Sequence, residues 1–174
     1  MMRSYAVAVL AVVSAVFGAR AETEIERGKY LAEVLVCGEC HTPGALLGKP
    51  DKVNLLGGSE VGYEIPGLGV FYGANLTPDV ETGLGNWSNE EIVTALRTGV
   101  RPDGRILSAA MPWRSFAALT DGDARAVAVY LKSLKPFSRK VPGPFGPTET
   151  PTSFYYKFTV PPKPAAAAPP APTP

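Results

Sequence analysis

Apolar side chains recur at helical spacing in three stretches of this 174-residue chain, and a cap signal opens each one. Thr23, with Glu26 three residues on, precedes Ile25, Leu31, Val34 and Leu35. Ser88 with Glu91 precedes Ile92, Val93 and Leu96, and Gly99 stands where a C-terminal glycine belongs. Thr120 with Asp123 precedes Ala124, Val127, Leu131 and Leu134, and Pro136 ends the run. The pattern therefore predicts three helices. Between the first and second lies a glycine-rich stretch from Pro43 to Asn86, where Val61, Tyr63, Val70, Phe71 and Tyr72 predict a short hairpin near 60–73. So long a loop in a small domain usually serves function.

The ends have a different character. Met1 to Ala21 begins with Arg3, runs through an apolar stretch from Tyr5 to Phe17, and closes on Ala19-Arg20-Ala21. This is the layout of a secretory signal peptide cleaved after Ala21, and the apolar run is too short to span a membrane as a helix. The expected domain is 22–136. Residues 137–160 form a linker rich in proline, with Pro142, Pro144, Pro147 and Pro151, followed by an aromatic, strand-like segment from Ser153 to Val160. Residues 161–174 are a Pro/Ala tail of low complexity, expected to be disordered. With 17 basic and 16 acidic residues the chain is near neutral, which gives no basic footprint for nucleic acid.

The chemistry concentrates in Cys37-Gly38-Glu39-Cys40-His41. Cys-x-x-Cys-His is the attachment pattern for a c-type haem. Cys37 and Cys40 would form thioethers with the two vinyl groups of the porphyrin, and His41 would then lie beneath the ring as an axial iron ligand. These are the only cysteines and the only histidine. A structural zinc site would lack a fourth ligand. A thioredoxin-like pair has no use for the histidine and no βαβ pattern around it. A secreted chain suits the haem reading, because covalent attachment takes place outside the cytoplasmic membrane.

Methionine is the usual second axial ligand in electron carriers. Met1 and Met2 leave with the signal, so Met111 is the candidate. Pro112 biases it away from helical backbone, in a loop that can reach the face opposite His41. The second ring hydrogen of His41 needs a fixed acceptor, expected among the carbonyls of the loop Pro43–Pro50. Trp87, Asn75, Tyr72, Arg101 and Arg105 are candidate donors to the haem propionates.

These residues together resemble the class I cytochrome c family. Gly28, Lys29 and Tyr30 ahead of the haem motif look like its first helix, Met111-Pro112-Trp113 like its methionine loop, and Leu119 to Leu134 like its last helix. Asn75-Leu76-Thr77-Pro78-Asp79, Thr82 to Trp87, and Gly99 to Gly104 look like the subgroup that serves as cytochrome subunits of periplasmic dehydrogenases for alcohols, aldehydes or N-heterocycles, and the single haem motif here implies a single-haem subunit or a small shuttle. The resemblance implies an all-α, cytochrome c-like fold around one covalent haem c, with long glycine-rich loops and a short hairpin. It implies Gly28 and Tyr30 meeting Tyr130 and Leu131 where the first and last helices cross. It also implies a periplasmic one-electron carrier rather than an enzyme, placed between a dehydrogenase and a respiratory acceptor, with no nucleic-acid partner and no transmembrane segment in the mature chain. A haem enzyme or sensor with an open sixth position is the alternative, although no distal histidine is available for it.

Overall fold

The computed structural model describes residues 22–159. The expected signal segment 1–21 and the tail 161–174 lie outside the described residues. The three predicted helices are α1 (Glu24–Val34), α3 (Asn89–Thr98) and α5 (Asp121–Ser133). Thr23 and Ser88 form reciprocal capping boxes with Glu26 and Glu91. At α5 Thr120 accepts from the Asp123 amide, while the short Asp123 carboxylate turns to Arg27 at 2.8 Å. Two further helical turns are α2 (Cys37–His41) and α4 (Trp113–Phe116).

The core lies between α1, α3 and α5. Leu31, Ala32, Ile92, Leu96, Phe116, Val127 and Leu131 are buried in one cluster with Cys37. Gly28 makes the α1–α5 crossing close: a methyl group at this position would overlap the Ala126 carbonyl and crowd Tyr130. The Gly28–Tyr130 meeting is thus present. Tyr30, by contrast, faces solvent, with the Arg27 guanidinium 5.6 Å from its ring centre.

An all-α fold is not what forms. A three-stranded mixed sheet flanks the helices, in the order β2-β1-β3. Strands β1 (Gly62–Ile65) and β2 (Gly69–Tyr72) make the predicted hairpin, turned at Pro66-Gly67 with Gly67 at φ 77°. Strand β3 (Tyr155–Tyr156) comes from the C-terminal extension and pairs in parallel with β1, Tyr63 opposite Tyr156. The physical reason is edge satisfaction. The hairpin leaves one side of β1 with open backbone groups, and the extended aromatic segment supplies their partners.

Candidate haem site

Helix α1 does not run straight into the cysteine motif. Val36 adopts a left-handed backbone (φ 52°, ψ 32°) and breaks the chain direction before α2. On α2, Cys37 is buried in the core and Cys40 is half-buried, one turn apart; neither is in a disulfide. Burial pushes the Cys37 thiol up to about 11. A redox-active dithiol needs the opposite shift, towards thiolate.

The glycine-rich stretch clamps this helix. Gly58 N–H donates to the His41 carbonyl at 2.7 Å, and Leu56 N–H to the Thr42 hydroxyl at 3.1 Å. The Cα of Gly73 lies against the Cys40 carbonyl. His41 Nδ1 is 2.8 Å from the Ala74 carbonyl. A carbonyl only accepts, so Nδ1 carries the hydrogen and Nε2 holds a free lone pair. The acceptor is therefore Ala74, at the end of the hairpin, and not the expected loop Pro43–Pro50. Burial lowers the His41 pKa, against the Ala74 bond, which favours the neutral imidazole that binds metals.

Met111 lies half-buried against the same hydrophobic cluster that contains Cys37. Its amide donates to the Ser108 carbonyl at 3.0 Å and its carbonyl accepts from Trp113 at 2.9 Å, which fixes the loop backbone immediately before α4.

Several known proteins are similar to this chain. No family model matches the chain. The cytochrome c subunit of the alcohol dehydrogenase (quinone) of Gluconobacter oxydans is 42% identical over 116 residues, 66% of this chain and 22% of that protein. The fructose dehydrogenase cytochrome subunit of Gluconobacter japonicus is 36% identical over 119 residues, 68% of this chain and 23% of that protein. A diheme cytochrome c-type protein of Cereibacter sphaeroides is 38% identical over 112 residues, 63% of this chain and 35% of that protein. The chain belongs to the cytochrome c family. It spans less than two-fifths of the length of each of these relatives.

The residues of this cytochrome fit a covalently held haem. Two thiols and an imidazole nitrogen stand on one helix, and Nε2 of His41 makes no hydrogen bond among the described residues. The Trp113 indole Nε1 is buried beside Gly99 without a hydrogen-bond partner among the described residues. The expected propionate donors divide. Asn75, 2% exposed, spends both amide hydrogens on Thr82 Oγ1 (2.9 Å) and the Phe137 carbonyl (2.7 Å). Tyr72 donates to the Ser153 carbonyl at 3.1 Å. Both tie the C-terminal extension to the domain. Trp87 lies beneath the Arg101 guanidinium, 5.3 Å from its ring centre. Burial and the neighbouring Arg101 lower the Arg105 pKa, and Arg101 itself pairs with Asp103 at 3.3 Å.

Sequence reading missed Lys132. Its ammonium donates to the carbonyls of Leu84 (3.1 Å), Gly85 (2.8 Å) and Trp87 (2.9 Å), holding the Trp87 loop to α5. A lysine in a periodic helix looks like solvated surface, and no local signal marks its three acceptors.

Proposed function

We propose that this cytochrome is a periplasmic one-electron carrier with a single haem c, bound through Cys37 and Cys40 and ligated by His41 and Met111. Haem supplies the reversible ferric–ferrous couple. Cys37 and Cys40 anchor the porphyrin edge, and Ala74 orients the His41 ring so that Nε2 can meet iron. Met111 offers a soft thioether that favours the reduced state and excludes other ligands. Arg101 and Arg105 offer positive charge to the propionates. The donor is a dehydrogenase, in keeping with the names of the relatives, and the acceptor a respiratory protein. The observation that carries the reading is the bond from His41 Nδ1 to Ala74, which prepares the imidazole as a ligand.

The test is direct. Mass spectrometry of the protein made in a host competent in cytochrome maturation should give the chain from Glu22 plus one haem. Met111→Ala should abolish the sulfur-to-iron charge-transfer band, lower the potential and open the iron to small ligands. An unchanged spectrum and potential would exclude Met111.

A further inference from the structure

The extension after Pro136 ends in an aromatic strip with two different sides. On the inner side, the Tyr156 ring packs at a tilt against Tyr63 with ring centres 5.7 Å apart, and its hydroxyl donates to the Leu46 carbonyl at 2.7 Å. Tyr63 in turn places its hydroxyl 3.9 Å from Cys40 Sγ, an atom of the proposed haem linkage. On the outer side, Phe154 is 71% and Phe158 77% exposed, with Tyr155 and Tyr156 partly exposed beside them. Soluble surfaces rarely keep so many aromatics uncovered without a partner. Two of the charges nearby are paired within the molecule, Lys157 with Glu64 at 3.1 Å and Arg139 with Glu60 at 3.0 Å, while Glu149 accepts from the Gly146 amide.

We propose, resting on the electron-carrier reading above, that the strip from Phe154 to Phe158 is the docking surface for an apolar patch of the redox partner protein, with Tyr63 and Tyr156 bridging that surface to the Cys40 edge of the haem. The exposed phenyl rings of Phe154 and Phe158, beside cations already paired within the molecule, select an apolar patch over a charged one. Continuity from Cys40 through two rings in contact selects a redox partner over the chain's own residues 160–174 or a second copy, neither of which needs a route to the iron. One electron passes from the reduced centre of the partner to ferric iron. The partner is oxidised by one electron and the iron becomes ferrous; no bond is made or broken. The tyrosines stay reduced and serve as packed matter through which the electron tunnels, where a layer of water would attenuate it more.

The experiment uses the haem-loaded full-length protein. The probe is a solubilised membrane and periplasmic extract of the native host, supplied in turn with ethanol and fructose, after the dehydrogenases that two relatives are named for; hexaammineruthenium(II) serves as a small reductant. The ferric protein, the Phe154→Ser/Phe158→Ser variant and a Val53→Ser control are compared by stopped flow. The double variant should lose roughly tenfold or more in its rate with the extract relative to its rate with ruthenium, the effect expected for two interface aromatics. Tyr63→Leu should lose in the same ratio, with its haem spectrum retained. Equal ratios in all proteins would overturn the docking surface alone. No reduction of the wild type by any supplied extract would overturn the carrier reading and this inference with it. A dimer in sedimentation that the double variant dissociates, or a rate raised by deleting residues 160–174, would give the strip a different occupant and overturn the proposal.

Discussion

Gly73 lies flat against the carbonyl of Cys40, in a space that admits no side chain. The contact joins the end of the hairpin to the helix of the haem motif, and Ala74, the next residue, receives the His41 ring hydrogen. Gly73→Ala should force the two backbones apart and misplace both groups together. The cost should exceed the ~1–3 kcal/mol usual for overpacking, because both colliding partners are backbone. The expected result is a lower haem-to-protein ratio in the pyridine haemochrome assay and a lowered melting temperature. A fully loaded variant of wild-type stability would show that the clamp does not hold the motif.

Val36 stores strain between α1 and α2. A β-branched residue in the left-handed region costs roughly 1–2 kcal/mol, and glycine pays no such penalty. The side chain is 59% exposed, so little burial is lost on replacing it. Val36→Gly should therefore raise stability by about 0.5–1 kcal/mol after the entropy of glycine is subtracted. Chemical denaturation of the haem-loaded protein reads this directly, and a loss of stability would mean that the residue packs more than its exposure suggests.

Residues 141–159 act as a belt. Val70 pairs with Phe145, β3 pairs with β1, and the Ser153 hydroxyl donates to the Glu60 carbonyl at 2.7 Å. Truncation after Lys140 removes all of these contacts and should lower the melting temperature by several degrees, on the order of 1–3 kcal/mol. Differential scanning calorimetry on the two proteins checks it. Unchanged melting would mean that the belt adds no net stability.

Acid should unfold the protein through its aspartates. Side-chain bonds from Asn54, Thr82 and Arg27 hold Asp51, Asp79 and Asp123 below the ordinary carboxylate range. The Arg105 amide does the same for Asp103. Each is lowered in the folded state, so the unfolded chain binds more protons and stability rises with pH. The contribution is whole above about pH 4, the unfolded value, and is lost as pH falls through the lower folded values. Melting temperature should fall gently below about pH 6.5, as the unfolded chain protonates His41, and more steeply below about pH 4, as the aspartates follow. Asp123→Asn should flatten the drop, and an unaltered acid limb would assign the transition to other groups.

Local signals carried the helices. The Thr23, Ser88 and Thr120 caps and the Gly99 stop act through neighbours within four residues, so they could be read from the chain. The hairpin was readable for the same reason. What was not legible is long-range. Asn75 seemed a free amide, but its partner Phe137 lies 62 residues on. The His41 acceptor is 33 residues away, past the loop where proximity in sequence suggested it. The segment around Tyr155 announced itself as strand-like, yet nothing nearby could say that β1 would receive it. That pairing is what turns an all-helical expectation into a mixed architecture.

Strands β1 and β3 lie side by side, yet 93 residues separate Glu60 from its partner Ser153. Contacts so distant in sequence form late, because a long loop must close before any bond repays it. The helices and the hairpin can assemble first, leaving the outer edge of β1 open to any passing strand. Tyr155 and Tyr156 close that edge only after the helices, the hairpin and the linker have all emerged. The belt is therefore also the last-fitted guard against edge-to-edge aggregation, and a chain cut short before it is the form most exposed to mispairing.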